Sequence, residues 1–176
     1  MTSPSPEARA RRIRLAAFDV DGVLTDGTVW LDDAGRESKG FSILDGLGLK
    51  MLAGSGVMLG IITGRRSRTV ELRAAELGIA LLRQGVQDKL AAFAELLAEV
   101  GLDPAEASYM GDDLPDLPVL RRCGLAISVP DAPDLVRGHA HLVTAASGGR
   151  GAVREACEYI LRAQGRLEAA QAAFLV

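Results

Sequence analysis

The sequence predicts an α/β fold, a doubly wound parallel sheet flanked by helices. Three observations carry that expectation. Short, nearly continuous apolar runs rich in strand formers recur along the chain, as at Ile13–Val20 and Val57–Ile62. Between them lie stretches with apolar residues at spacings of three and four, the period of a helix face. The 176 residues, 48% hydrophobic and 24% charged, are enough for one domain with a substantial core. The same figures exclude a disordered, collagen-like or disulfide-stapled chain.

Taken in order, residues 1–12 read as a flexible N-terminal tail, with Pro4 and Pro6 among small polar residues. Ile13–Val20 is a buried parallel strand, because a strand covered on both faces is apolar throughout. Residues 28–41 form a protruding β-hairpin around Asp32-Asp33-Ala34-Gly35. Leu47–Leu52 is helical, and Val57–Ile62 is a second buried strand ending at Thr63-Gly64. Residues 67–77 form a helix and Ala80–Leu82 a short strand. Val86, Leu90, Phe93, Leu97 and Val100 share one helix face, which Gly101 stops. Strands at Ala107–Met110, Leu125–Val129 and His141–Thr144 and helices at 114–122 and 151–162 complete a domain spanning 13–165. Residues 166–176 form a C-terminal tail. The intervals between these elements are nearly used up by crossover helices, which leaves no room for a separate cap domain.

Composition narrows the function classes. Twenty Lys and Arg against 23 Asp and Glu give a net charge of -3, no basis for a nucleic-acid partner. Aromatics at 4% disfavour a platform for stacking single strands. No run approaches the roughly 20 apolar residues of a membrane span. The apolar run after Arg9, Arg11, Arg12 and Arg14 stops at Asp19, too soon for a signal peptide. Cys123 and Cys157 stand alone and read as buried thiols. The expected location is the cytoplasm. His139 and His141 read as structural residues on an edge strand.

The chemistry gathers where strands end. The first strand runs into Asp19-Val20-Asp21-Gly22, the second into Thr63-Gly64-Arg65, and the Ala107 strand into Gly111-Asp112-Asp113, with Asp116 following; Lys89 sits in the first turn of the Val86 helix. Open α/β sheets bind ligands at this carboxyl edge. Asp19, Asp21, Asp112 and Asp113 converging there would repel by roughly 4 kcal/mol per close pair, so the cluster calls for a cation. All-oxygen ligation suits Mg²⁺. A hydroxyl, a backbone N–H and an ammonium from Thr63, Gly64 and Lys89 then complete an anion site suited to phosphate. This gives each residue a role: Asp19 the nucleophile, Asp21 the general acid and base, Thr63 and Lys89 the phosphate holders, Asp112 a metal ligand, Asp113 its support.

These four motifs, in this order and spacing, resemble those of the haloacid dehalogenase superfamily phosphatases, whose core is a Rossmann-like sheet. Beyond the superfamily, Trp30–Gly48, Gln84-Gly85, Asp112–Pro118, Gly148–Glu155 and Ala163–Glu168 resemble the 3-deoxy-D-manno-octulosonate 8-phosphate phosphatases. The resemblance covers nearly all of the chain from residue 13. It implies Mg²⁺, a homotetramer, a sugar-acid phosphate substrate and a place in lipopolysaccharide core synthesis. It implies metal ligation by Asp19, Asp112 and the Asp21 carbonyl, and substrate contacts by Asp21, Arg65, Arg73, Lys89 and Ser42-Ile43-Leu44-Asp45-Gly46. This sequence departs from the pattern at three places: Leu44 and Ser42 stand where Arg and Asn are usual, and Lys50 where Arg is usual. Leu44 removes a planar anchor for a carboxylate or hydroxyl, so a nine-carbon sialic-type acid 9-phosphate is the alternative substrate. A non-catalytic assembly domain is the alternative from outside enzymology. An oligomer is expected on physical grounds too. The hairpin is too small to bury Trp30 and Phe41 by itself, and a phosphorylated aspartate benefits from a wall against water that a neighbouring subunit can supply.

Overall fold

The computed structural model describes residues 4–175. A short helix, α1 (Pro6–Ala10), leads into β1 (Leu15–Phe18). A projecting hairpin follows, β2 (Trp30–Leu31) and β3 (Glu37–Ser38), then α2 (Ile43–Gly54) and β4 (Met58–Thr63). Next come α3 (Arg68–Leu77), β5 (Leu81–Gln84), α4 (Lys89–Val100), β6 (Ala107–Met110), α5 (Leu117–Leu120) and β7 (Leu125–Ser128). The chain ends with α6 (Asp134–Arg137), β8 (Leu142–Val143), α7 (Ala152–Ala163) and α8 (Leu167–Ala172).

Six strands form one parallel sheet in the order β5-β4-β1-β6-β7-β8. All of β1, β6 and β7 is buried, which is why their sequences do not alternate. β1 lies in the middle, with Phe18 paired to Ile61 of β4 and Met110 of β6. The register therefore brings Asp19, Thr63 and Gly111, each at or just past a strand end, to one edge of the sheet. No separate cap domain is present among the described residues; only the hairpin stands off the body, with Trp30 68% and Leu31 67% exposed.

Several segments differ from the expectation, each for a tertiary reason. Where the sequence reads as a loose N-terminal tail, residues 6–10 are a helix. Ser5 caps it, Ala10 is buried, and Arg9 Nη1 donates to the Gly124 carbonyl at 2.9 Å. Residues 1–3 of that tail lie outside the described residues. The C-terminal segment carries α8, seated by buried Leu167; Val176 lies outside the described residues. α2 starts four residues before Leu47, because Ser42 accepts from the Asp45 N–H at 3.2 Å and caps it. α4 starts at Lys89 rather than Val86, since the Asp88 carboxylate accepts from the N–H groups of Leu90 and Ala91 at 3.0 Å each. His139 and His141 both precede β8; His141 Nδ1 accepts from the Ala126 N–H at 2.8 Å, a structural bond. Cys123 and Cys157 are buried free thiols, pushed up by burial, Cys123 to about 12.

Candidate active site

Asp19 follows β1 directly and is buried. The chain then makes a wide turn over Val20–Leu24, with Gly22 at φ +84°. Only glycine serves at that position. Its φ disfavours any side chain, and a Cβ there would overlap the Asp112 carboxylate. Gly148 is constrained similarly, since its own Cβ would overlap the Gly22 carbonyl. The Gly148–Gly151 stretch thus serves a close approach between backbones. The first loop, the Asp112 loop and this glycine-rich segment are packed together with no slack.

Lys89 organises the centre. Its Nζ lies 2.8 Å from Asp19 Oδ2 and 2.6 Å from Asp116 Oδ1. Burial works against the Lys89 charge, but Asp19 and Asp116 outweigh it and hold the ammonium above its usual range. Asp116 is fully buried and fully used. Its Oδ1 also accepts from Tyr109 Oη at 2.7 Å, and its Oδ2 accepts from the N–H groups of Asp112 and Asp113 at 3.1 Å each. Those bonds fix the loop that carries Asp112.

Ligand oxygens of Asp19, Asp112 and Asp116 lie within 4.8 Å of one another. Burial first, and neighbouring carboxylates second, push Asp19 up to about 6 and Asp112 up to about 7. Asp112 Oδ1 is buried without a hydrogen-bond partner. A buried, unpartnered carboxylate oxygen beside a second raised carboxyl is a donor set for a hard cation. Asp116 is the member whose oxygens are already occupied. Asp113, expected to point into the cluster, is exposed. Its Oδ1 accepts from the Leu114 N–H at 2.8 Å and caps the turn at Leu114–Asp116.

Two adjoining hollows of about 270 Å³ each share Asp19, Asp21, Lys89 and Pro115. One extends to Asp112, Asp113 and Asp116, the other to Thr63, Gly64, Arg65, Val86 and Gln87. The carboxylate cluster and the expected anion holders therefore face one space. Such a space, with a buried carboxylate, an ammonium and a second carboxylate at its wall, suits phosphoryl transfer to Asp19.

Comparisons with known proteins give the family. A family model for haloacid dehalogenase-like hydrolases matches residues 79–155. The 3-deoxy-D-manno-octulosonate 8-phosphate phosphatase of Yersinia pestis is 49% identical over 92% of this chain and 87% of its own length. The chain belongs to that phosphatase family. Its fold matches the solved Moraxella catarrhalis enzyme, a complex with magnesium, phosphate and KDO, with a TM-score of 0.94 and 46% identity over 96% of this chain and 97% of that one. The cobalt-bound Haemophilus influenzae enzyme matches with a TM-score of 0.91 and 38% identity over 96% and 99%.

The residues that family resemblance adds to the site fall into two groups. Arg65 lines the hollow, 3.9 Å from Asp21 and 2.7 Å from Glu37. The others lie outside the two hollows, at α2 or, for Arg73, on α3 beside it. Ser42 caps α2. Ile43 and Leu44 are 84% and 63% exposed. Asp45 is buried and accepts from the N–H groups of Arg154 at 2.8 Å and Gly151 at 3.3 Å. Gly46 lies against Arg73, which donates to the Ser42 carbonyl at 3.1 Å, pairs with Glu76 at 2.8 Å and sits over the Phe41 ring. Exposed Lys50 borders a different, apolar cleft beside α8. Sequence reasoning did not single out Tyr109, hidden in an apolar run, or Glu37 and Lys39, which read as ordinary hairpin charges. A basic residue next to Gly40 carries no signal of burial until its pairing with Asp21 at the hairpin's base is seen.

Proposed function

We propose that this protein is a Mg²⁺-dependent phosphatase that hydrolyses 3-deoxy-D-manno-octulosonate 8-phosphate to the free sugar acid and phosphate. The observation that carries the reading is Asp19, paired to Lys89 and flanked by the unpartnered Asp112 oxygen, in a hollow that Thr63 and Asp21 also line.

The Asp19 and Asp112 carboxylates and the Asp21 main-chain carbonyl would hold Mg²⁺. When bound, the ion neutralises the carboxylates and the phosphate that approaches them. Lys89 and Thr63 hold the phosphate oxygens and the charge that builds on them. An Asp19 oxygen attacks phosphorus. The bond from phosphorus to the sugar oxygen breaks, and its electron pair stays on that oxygen, which takes the Asp21 proton. Asp21, now a carboxylate, takes a proton from the incoming water as its oxygen attacks the phosphorus of the aspartyl-phosphate. Phosphate leaves and Asp19 is restored. Asp116 holds Lys89 and the Asp112 loop, and Asp113 shapes that loop's turn. Arg65 is the first partner for the substrate carboxylate; Arg73 and the Ser42–Gly46 segment would reach sugar only across a subunit boundary. The proposed working form is a homotetramer in the cytoplasm.

The test is phosphate release by purified protein from a panel of sugar-acid phosphates, with magnesium and with chelator. The eight-carbon ester should turn over, chelator should abolish release, and Asp19→Asn should lower kcat by about three orders of magnitude or more. Unchanged release in that variant would defeat the mechanism. Apolar, exposed Leu44 favours a second reading, in which the preferred ester is a nine-carbon sialic-type 9-phosphate; kcat/KM for the two esters decides between them. No release from any ester would leave an assembly role.

A further inference from the structure

The side chain of Lys39, just after β3, is wholly buried, and its ammonium pairs with Asp21 Oδ1. It also lies 3.6 Å from Glu37 Oε1. Glu37 Oε2 lies 2.7 Å from Arg65 Nη2, and Arg65 Nε lies 3.9 Å from Asp21 Oδ2. The four side chains close a ring of alternating charge. It ties the hairpin to the loop after β1 and the loop after β4, and a cation stands at each oxygen of Asp21. The two cations differ. Arg65 is half exposed and borders the hollow that would receive substrate, so it is free to exchange Asp21 for an incoming anion. Lys39 is enclosed and has no such exchange open to it.

We propose that Lys39 is a positioning residue. It fixes the Asp21 carboxyl against the hairpin, so that the acid-base group keeps its aim when Arg65 turns to the substrate. This rests on the phosphatase reading above. Burying an ion pair is a poor way to gain stability, since desolvation can offset the attraction and apolar packing does as well. Its location at the group that moves protons in both half-reactions is what a positioning role requires. A misplacement on the order of 1 Å at such a group costs about 100-fold in rate.

The test compares Lys39→Met with wild-type protein on two esters. One is the sugar-acid 8-phosphate, whose alkoxide must be protonated as it leaves. The other is 4-nitrophenyl phosphate, whose phenolate departs unprotonated. For the sugar ester kcat should fall about 100-fold with KM nearly unchanged. For the aryl ester the first step needs no acid, so rapid mixing should show a burst of nitrophenolate close to one per site, followed by slow turnover as water attack lags. Lys39→Gln should repeat the pattern. A merely structural role predicts an equal loss on both esters and no burst, and either that result or an unchanged kcat would overturn the proposal. If neither variant keeps the wild-type thermal transition, Lys39 is structural and the proposal falls. Wild-type protein that turns over neither ester would fail the phosphatase reading itself, and this inference with it; active wild type with an unaffected variant would sink the role of Lys39 alone.

Discussion

At the scale of single residues, the carboxyls proposed to hold the metal act against the fold. Burial raises Asp112 to about 7 and Asp19 to about 6, against an ordinary 3.8. A carboxyl raised on folding holds its proton more tightly folded than unfolded. Its stabilising contribution is complete below about pH 4 and is lost as pH rises through the folded value. Metal-free protein should therefore weaken from about pH 4 to about pH 7 through these groups, and magnesium should restore it increasingly as pH rises. Asp112→Asn removes one of the two charges. In chelator it should melt a few degrees above wild type at pH 8 and level with it at pH 4, and magnesium should no longer raise its transition. Scanning calorimetry at both pH values checks this; a gap independent of pH would refute it. That Asp19, Asp21, Thr63, Lys89 and Asp112 share one space was legible in the sequence, because all but Lys89 follow or close a strand and Lys89 opens the helix after β5. The burial of Lys39 was not, since it depends on where the hairpin lies and not on its neighbours in sequence. Asp113, read as support for Asp112, borders the same hollow, and its oxygen caps the turn that follows.

At the scale of elements, the strands were the legible part. A parallel strand covered by helices is buried at every position, as β1, β6 and β7 are, and only Ser108 and Ser128 interrupt their apolar runs. The short helices α1 and α8 were not. Helices of five and six residues do not hold by propensity; buried Ala10 and Leu167 seat them. The N-terminus of α7 is capped from elsewhere in the chain. Gly151 precedes the helix at φ +110° with no side chain to offer, and Asp45 of α2 accepts the Gly151 and Arg154 N–H groups. Burial raises the Asp45 carboxyl, which is the cost of bringing it there. Asp45→Ala leaves those donors unpaired. It should cost about 2 kcal/mol, which is roughly 4–8 °C in Tm at this chain length. Asp45→Asn, which keeps one acceptor, should lose about half as much. Thermal melts of the two variants measure it, and a wild-type Tm for the alanine variant would show that water satisfies the donors equally well.

At the scale of the whole molecule, one chain ends with apolar surface it does not cover. Trp30 and Leu31 stand on a hairpin whose strands are two residues long, while Ile43, Leu44, Phe174 and Leu175 are exposed as well. Scattered exposed apolar residues are ordinary. A tryptophan and a leucine adjacent on a hairpin that has no support on that side are not, because so small a ribbon is marginal in water. The chemistry adds a separate reason for a neighbour. On the proposed mechanism an acyl phosphate on Asp19 must wait for one water and exclude others, yet no residue from 28–41 lines its hollow to help shield it. Packing hairpins from several copies would cover Trp30 and wall the site at once. Light scattering should then give wild-type protein the mass of four chains of 18.5 kDa each, and Trp30→Glu with Leu31→Glu should reduce it to one. The single chain should keep its magnesium-dependent thermal shift, because Asp19 and Asp112 come from the same chain, while kcat/KM on the sugar-acid ester should fall at least ~10-fold as the outer wall is lost. A wild-type mass of one chain would mean that these residues face water in the working enzyme. Whatever shields the phosphorylated aspartate would then have to come from within the chain, and the hairpin, pinned to Asp21 through Lys39, is the element already in place for it.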